Sequence, residues 1–158
     1  MKFLSEDHKD LLNFLLHNNV DFILVGGFAV NFHGYNRATG DMDVWIRPGN
    51  ENKEKLFKAL VEIGFSFEHI QLLKGEDFDK PFVFSLWEEP FKVDFLTHIS
   101  GVKFEEAWEQ KVFLPFGKRQ IPVLHLHHLV LSKINTGRTR DKADIEELQK
   151  IKAHKKNS

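Results

Sequence analysis

A short apolar run that stops at two glycines constrains the fold of this chain more than any other feature. The run extends from Asp21 to Val25 and is followed at once by Gly26-Gly27. Its length and its β-branched residues predict a buried strand. Residues 28–33 then predict a short helix that Gly34 ends. A strand, a glycine pair and a helix in direct succession are typical of α/β and α+β proteins.

Periodicity along the rest of the chain predicts a mixed β-sheet flanked by helices, with two helices at the C-terminal end. Further strands are predicted at 42–47, 82–87, 91–96, 111–114 and 119–123. Further helices are predicted from Glu6 to near Asn18-Asn19 and at 51–63, 102–109, 125–135 and 139–151. Residues 66–80 carry no clear periodicity. The fold class is therefore α/β or α+β, with one domain over residues 1–152 and a basic tail over 153–158.

The composition predicts a soluble cytoplasmic protein with no membrane partner. The chain has 158 residues and no cysteine, so disulfides and thiolate metal sites are excluded. No apolar run approaches the roughly 18 residues of a membrane span, and the first residues do not form a signal peptide.

Charge is unevenly placed along the chain. Residues 1–110 carry a net charge of −8 and residues 111–158 a net charge of +7. The basic end can meet the phosphates of a nucleotide or of RNA, or it can be a solvated helix face with a basic tail. The first interpretation is favoured for residues 133–142 and the second for the tail.

The glycine pair suits close approach to a ligand. Gly26 and Gly27 let the backbone come near another group, and the free N–H groups of the following helix favour an anion. A tight turn is the more frequent role of such a pair, so the glycines carry weight only together with other motifs.

Two acids stand two positions apart where the next predicted strand begins, as Asp41-Met42-Asp43. Residues two apart share a strand face, so both carboxylates point the same way, with Cα atoms roughly 6.6 Å apart. Like charges this close repel each other unless a positive group lies between them. Mg²⁺ fits, because it binds carboxylate and phosphate oxygens. A polar strand face at a sheet edge is the alternative.

A third acid, Asp94, interrupts an apolar strand. Phe91, Val93 and Phe95 alternate on one face, which leaves Asp94 on the other. An acid in such a strand needs a partner, which is either a basic side chain or a shared metal ion. If this strand lies beside Asp41 and Asp43, three carboxylates can hold two metal ions about 3.5–4 Å apart for phosphoryl transfer.

Together these motifs resemble the nucleotidyltransferase superfamily with the DNA polymerase β-type fold. The shared pattern is a glycine turn, a D-x-D strand about a dozen residues on, and a third acid on a later strand. Here 13 residues separate Gly27 from Asp41. The sub-pattern from Gly26 to Asp43 most resembles the small nucleotidyltransferases of bacterial abortive-infection and toxin–antitoxin systems. Lys133 and residues 137–148 are similar to the closing helices of that group, so the resemblance covers roughly residues 20–150.

The resemblance implies an enzyme that transfers a nucleoside monophosphate from a nucleoside triphosphate (NTP), such as ATP, to an acceptor hydroxyl. Asp41 and Asp43 would ligate two Mg²⁺ ions. Asp94 would ligate one of them and help to deprotonate the acceptor. The acceptor would be RNA, a protein side chain or a small molecule, and in a toxin–antitoxin setting a tRNA end or a partner protein.

The same resemblance implies the phosphate-binding residues. Gly26 and Gly27 would cradle the triphosphate, and Lys133 would neutralise its charge from the opposite wall. Arg37 would do the same or would pair with Asp41, and both alternatives stay open. Two other functions compete with an enzyme: a nucleotide-binding regulatory or antitoxin module without turnover, and a structural partner protein with an accidental acidic patch. The joint presence of the glycine turn and all three acids favours the enzyme.

Overall fold

A six-stranded sheet with helices packed against it forms the core of the computed structural model, which describes residues 4–36, 40–134 and 136–156. In chain order the elements are α1 (Glu6–His17), β1 (Phe22–Val25), α2 (Gly26–Phe32), β2 (Met42–Ile46), α3 (Asn50–Ile63), α4 (Phe67–Lys74), β3 (Val83–Leu86), β4 (Val93–Leu96), α5 (Phe104–Gln110), β5 (Val112–Phe116), β6 (Arg119–Val123), α6 (Leu126–Lys133) and α7 (Thr139–Lys156).

The strands lie in the order β3-β4-β2-β1-β6-β5. Strand β1 runs antiparallel to β2 and parallel to β6, and β2 runs parallel to β4. The sheet is therefore mixed, with helices in the connections and two helices closing the chain. The predicted fold class is confirmed.

The central strands are the most deeply buried, which explains their sequences. All four residues of β1 are buried, as the unbroken apolar run predicted. In β2, Met42 and Val44 are fully buried, and Asp43 between them points to the opposite face. The same alternation buries Val93 and Phe95 of β4 and leaves Asp94 partly exposed. The apolar alternation thus fixes which face of the sheet carries the acids.

Helix α4 lies in the segment 66–80, where the sequence predicted no element. Ser66 caps it by accepting a hydrogen bond from the backbone N–H of His69 at 3.3 Å. Only Ile70 of its eight residues is buried. A helix with one buried residue has no apolar stripe, so its periodicity is weak. None of the helices in the described residues has both the length and the apolar character that a membrane crossing requires.

Candidate active site

One row of residues crosses four neighbouring strands and defines the site. Val25 of β1 lies opposite Asp43 of β2, Asp43 lies opposite Asp94 of β4, and Asp94 lies opposite Ser85 of β3. Paired residues on adjacent strands present their side chains on the same face of the sheet. The parallel pairing of β2 with β4 therefore places two of the predicted acids side by side. Gly26 follows Val25 directly, so the glycine turn lies at one end of this row.

Gly26 and Asp43 are in close contact. A Cβ atom added to Gly26 would overlap Oδ2 of Asp43, so the carboxylate would have to move. Gly26 also has a φ of +63°, in the left-handed region that favours glycine. Glycine is thus favoured here for two reasons, the backbone turn into α2 and the space that the Asp43 carboxylate occupies.

Gly26→Ala is expected to destabilise the protein more than Gly117→Ala. Both glycines have nearly the same positive φ, +63° and +61°, so alanine brings the same backbone strain of about 1–2 kcal/mol to each. A Cβ at Gly117 meets nothing within 4 Å, whereas one at Gly26 clashes with Asp43. Thermal unfolding of the two variants isolates the cost of that clash. Equal losses of stability would show that Asp43 moves away without cost.

Asp43 is the electrostatic centre of the row. Burial raises its pKa to about 6, and the negative charges of Asp94 and Asp41 contribute to the increase, while Lys133 and Lys92 oppose it. A carboxyl group whose pKa is raised in this way gains from any cation that comes to lie between it and its neighbours.

The two other predicted acids have partners of their own at the cleft. Oδ1 of Asp94 accepts a hydrogen bond from the Ser85 hydroxyl at 2.5 Å and lies 3.6 Å from Nζ of Lys92. Asp41 shares a hydrogen bond with Glu89, which raises the pKa of Glu89. Ser85 and Glu89 were missed by the sequence interpretation, because neither belongs to a motif. The register of β3 against β4 and the loop between them bring these two residues to the site.

The donor set suits a hard divalent cation. Asp41, Asp43 and Asp94 offer only oxygen atoms, and their mutual repulsion, visible in the pKa of Asp43, is what such a cation relieves. Among the described residues, no three acidic or histidine side chains are gathered in a metal-binding arrangement. In this structure Asp41 and Asp94 are instead bound by the partners named above.

The opposite wall of the cleft comes from the end of α6 and the start of α7. Lys133 borders the cleft on this wall and is only 8% exposed. Its Nζ lies 3.2 Å from Oδ1 of Asp141 and 3.0 Å from Oδ2 of Asp144. Arg138 and Arg140 also line this wall. Two acids of α7 thus bind Lys133, and Asp141 also pairs with Arg138.

A cleft of about 620 Å³ separates the two walls, within the range of small-molecule sites. It is lined by Gly26, Gly27, Asp41, Asp43, Asp94 and Lys133 among others, so six of the seven predicted site residues border one space. The seventh, Arg37, lies outside the described residues. Val25, Leu96 and Ile99 add an apolar portion to the lining.

Comparison with known proteins identifies the family of the chain and the fold that it shares with solved structures. A family model described as "Nucleotidyltransferase of unknown function (DUF6036)" matches residues 3–154. The crystal structure of the lincosamide antibiotic adenylyltransferase LnuA, bound to lincomycin, is similar with a TM-score of 0.57 and 17% identity, over 94% of this chain and 98% of that one. A crystal structure of an antigenic nucleotidyltransferase-like protein from Paracoccidioides brasiliensis is similar with a TM-score of 0.50 and 15% identity, over 94% and 77%. At such identities the likeness concerns the fold. No curated protein matches the sequence significantly.

Proposed function

Because this chain belongs to the nucleotidyltransferase family DUF6036, we propose that its cleft transfers a nucleoside monophosphate from an NTP to an acceptor hydroxyl, in a reaction that depends on Mg²⁺. The observation that carries the proposal is that the glycine turn at Gly26 lies against Asp43, and that Asp94 lies beside Asp43 on the next strand. A nucleotide phosphate and its metal ions need this combination of backbone N–H groups and carboxylates.

The reaction exchanges one phosphorus–oxygen bond for another. The acceptor oxygen forms a bond to the α-phosphorus, and the bond from that phosphorus to the oxygen bridging to the β-phosphorus breaks, so pyrophosphate leaves. Asp94 accepts the hydroxyl proton as general base and passes it to solvent. The Ser85 hydroxyl and Lys92 both contact Oδ1 of Asp94 and so restrict the movement of this carboxylate.

The other residues bind and orient the donor. Asp41 and Asp43 would hold two Mg²⁺ ions, one of them shared with Asp94, and the ions would neutralise the charge of the triphosphate and of the attacking oxygen. The N–H groups of Gly26 and Gly27 would face the phosphates. Lys133 would offset their charge from the far wall, where its field already reaches Asp43.

The acceptor and the cellular setting remain predictions from the resemblance. RNA, a protein side chain and a small molecule all carry hydroxyls, and any of them could be the acceptor. The fold does not determine which of them binds in the cleft between α7 and the sheet. A tRNA end or a partner protein in a toxin–antitoxin system, a phosphate role for Arg37 and a cytoplasmic location stay predictions on the same basis.

Transfer of label from an α-³²P nucleotide tests the proposal. Each of the four nucleoside triphosphates is incubated with Mg²⁺, the protein and, in turn, total tRNA, a protein extract and a panel of hydroxyl-bearing small molecules. Labelled product and pyrophosphate should form in at least one mixture. Asp94→Asn should lower the rate by about 10²–10⁴-fold, because the general base is lost.

The matched control is Asp10→Asn, which makes the same change at an exposed position of α1 and should leave the rate unchanged. Nucleotide binding without transfer to any acceptor or to water would identify a regulatory module in place of an enzyme. Absence of binding by all four nucleotides would refute the proposal as a whole.

A further inference from the structure

Lys133 is held between two carboxylates of the following helix. Its Nζ lies 3.2 Å from Asp141 and 3.0 Å from Asp144, which stand three positions apart on α7 and so share a face. One ammonium and two carboxylates carry a net charge of −1. A buried group of this kind contributes little net stability, because desolvation of the charges offsets their attraction. Stability alone therefore does not explain why Lys133 is held by two carboxylates.

The two carboxylates differ in their surroundings. Asp141 borders the cleft, and its Oδ2 accepts a second hydrogen bond from the Thr136 hydroxyl at 2.6 Å. Nε of Arg138 lies 3.8 Å from the same oxygen. Asp144 is 1% exposed and does not border the cleft. Asp141 thus keeps two other donors in reach when Lys133 turns away, while Asp144 lies beneath the cleft surface.

Asp141 is ionised in this setting. Burial alone would raise its pKa, but the hydrogen bond from Thr136 and the charges of Lys133 and Arg138 outweigh burial and lower it. A full negative charge therefore borders the cleft next to the cation that would meet the phosphates. Since an ammonium has three N–H donors, Lys133 can bind a phosphate oxygen and keep one carboxylate.

We propose that Asp144 positions Lys133 in the wall of the cleft, and that Asp141 is the partner that a triphosphate replaces, so that Asp141 sets the affinity for the nucleotide. This inference rests on the proposed function. In the nucleotide-free protein Lys133 binds both acids. When the triphosphate enters, Lys133 keeps Asp144 and exchanges Asp141 for a phosphate oxygen, and Thr136 and Arg138 remain as the partners of Asp141.

Asp141→Asn is the first test. The amide has the shape of the carboxylate and can still accept the hydrogen bond from Thr136, but it no longer repels phosphate or competes for Lys133. Titration calorimetry with Mg²⁺ first identifies which of the four nucleoside triphosphates binds wild type most tightly. The variant should bind that nucleotide about fivefold more tightly and the corresponding nucleoside with unchanged affinity, because only the phosphates meet the altered charge.

Asp144→Asn is expected to act in the opposite direction. Without the buried counter-charge Lys133 turns fully to Asp141, and binding of the same triphosphate should weaken about tenfold. The matched control is Glu146→Gln, an equal change of charge at an exposed position of α7. It should change neither the affinity for the triphosphate nor the affinity for the nucleoside. In a Lys133→Met background, Asp141→Asn should bring a smaller gain than in wild type, because part of its effect acts through Lys133.

The outcomes separate the inference from the function on which it rests. If wild type binds none of the triphosphates, the proposed function fails as well. If wild type binds one and Asp141→Asn leaves its affinity unchanged or weakens it, the inference alone is refuted. If Asp141→Asn tightens the nucleoside as much as the triphosphate, the effect is structural and the inference is also refuted. Should Asp144→Asn fail to fold, the two Asp141 measurements still decide.

Discussion

Asp43→Asn should raise the melting temperature of the nucleotide-free protein and abolish nucleotidyl transfer. Asp43 has a pKa of about 6 in place of 3.8 because it is buried beside Asp94 and Asp41. This difference corresponds to up to about 3 kcal/mol at pH 7 and above, since each tenfold change in proton affinity is worth about 1.4 kcal/mol. At about 2–4 °C per kcal/mol, the melting temperature should rise by several degrees.

The stability that Asp43→Asn gains over wild type should depend on pH. A carboxyl group with a raised pKa in the folded state stabilises the protein below its unfolded pKa of 3.8, and this contribution is lost as the pH rises through about 6. The advantage of Asp43→Asn should therefore be small near pH 4 and largest above pH 7. Melting curves from pH 4 to pH 8 measure it, and a variant less stable than wild type at pH 8 would contradict the electrostatic account.

Ligand should remove most of the difference in stability between Asp43→Asn and wild type. An NTP with Mg²⁺ at a hundred times its dissociation constant should stabilise wild type by about 2.7 kcal/mol, and Asp43→Asn should lose most of this gain. Asp10→Asn serves as the control, because it removes one exposed carboxylate from α1 and should keep the full gain. An equal shift in Asp43→Asn and wild type would exclude Asp43 as a ligand.

Lys133→Ala should be among the most damaging single substitutions in this chain. In the structure Lys133 is buried and its ammonium is the shared partner of Asp141 and Asp144. Removing one side of a buried ion pair leaves charge uncompensated and costs about 3–5 kcal/mol. The melting temperature should fall by roughly 6–20 °C.

Chemical unfolding of Lys133→Ala, of a control variant and of a triple variant, each compared with wild type, checks this expectation. Lys150→Ala is the control, since its side chain is 73% exposed and pairs only with Glu147 of the same helix among the contacts of the described residues. It should cost less than about 0.5 kcal/mol. Lys133→Met combined with Asp141→Asn and Asp144→Asn should recover part of the loss, because no buried charge is left unpaired. A cost of Lys133→Ala no larger than that of the control would mean that the two acids are solvated in solution.

The sequence predicted the sheet side of the site because short-range rules govern it. The apolar alternation around Asp43 and Asp94 determines which face each acid occupies, and the glycine pair determines where β1 ends. The adjacency of β2 and β4 was only an assumption at that stage, since strand pairing depends on contacts between distant segments. The parallel register then placed Asp43 opposite Asp94.

The helical side of the site could not be predicted in the same way. Whether Lys133 is exposed depends on how α6 packs against α7, which spacing along the sequence does not reveal. This packing brings Asp141 and Asp144 to Lys133. Glu89 was missed for a similar reason, because its loop reaches Asp41 only through the folded hairpin of β3 and β4.

The parallel contact between β2 and β4 also affects the rates at which the chain folds and unfolds. Asp43 and Asp94 meet only after about fifty intervening residues have been enclosed, and pairing over such a separation forms slowly. The carboxylate row is therefore completed late on the way to the native state. Its repulsion is absent from the unfolded chain and from an early nucleus, and acts mainly on the rate of unfolding. In kinetic terms, relief of that repulsion should lengthen the lifetime of the native protein far more than it shortens the time needed to reach it.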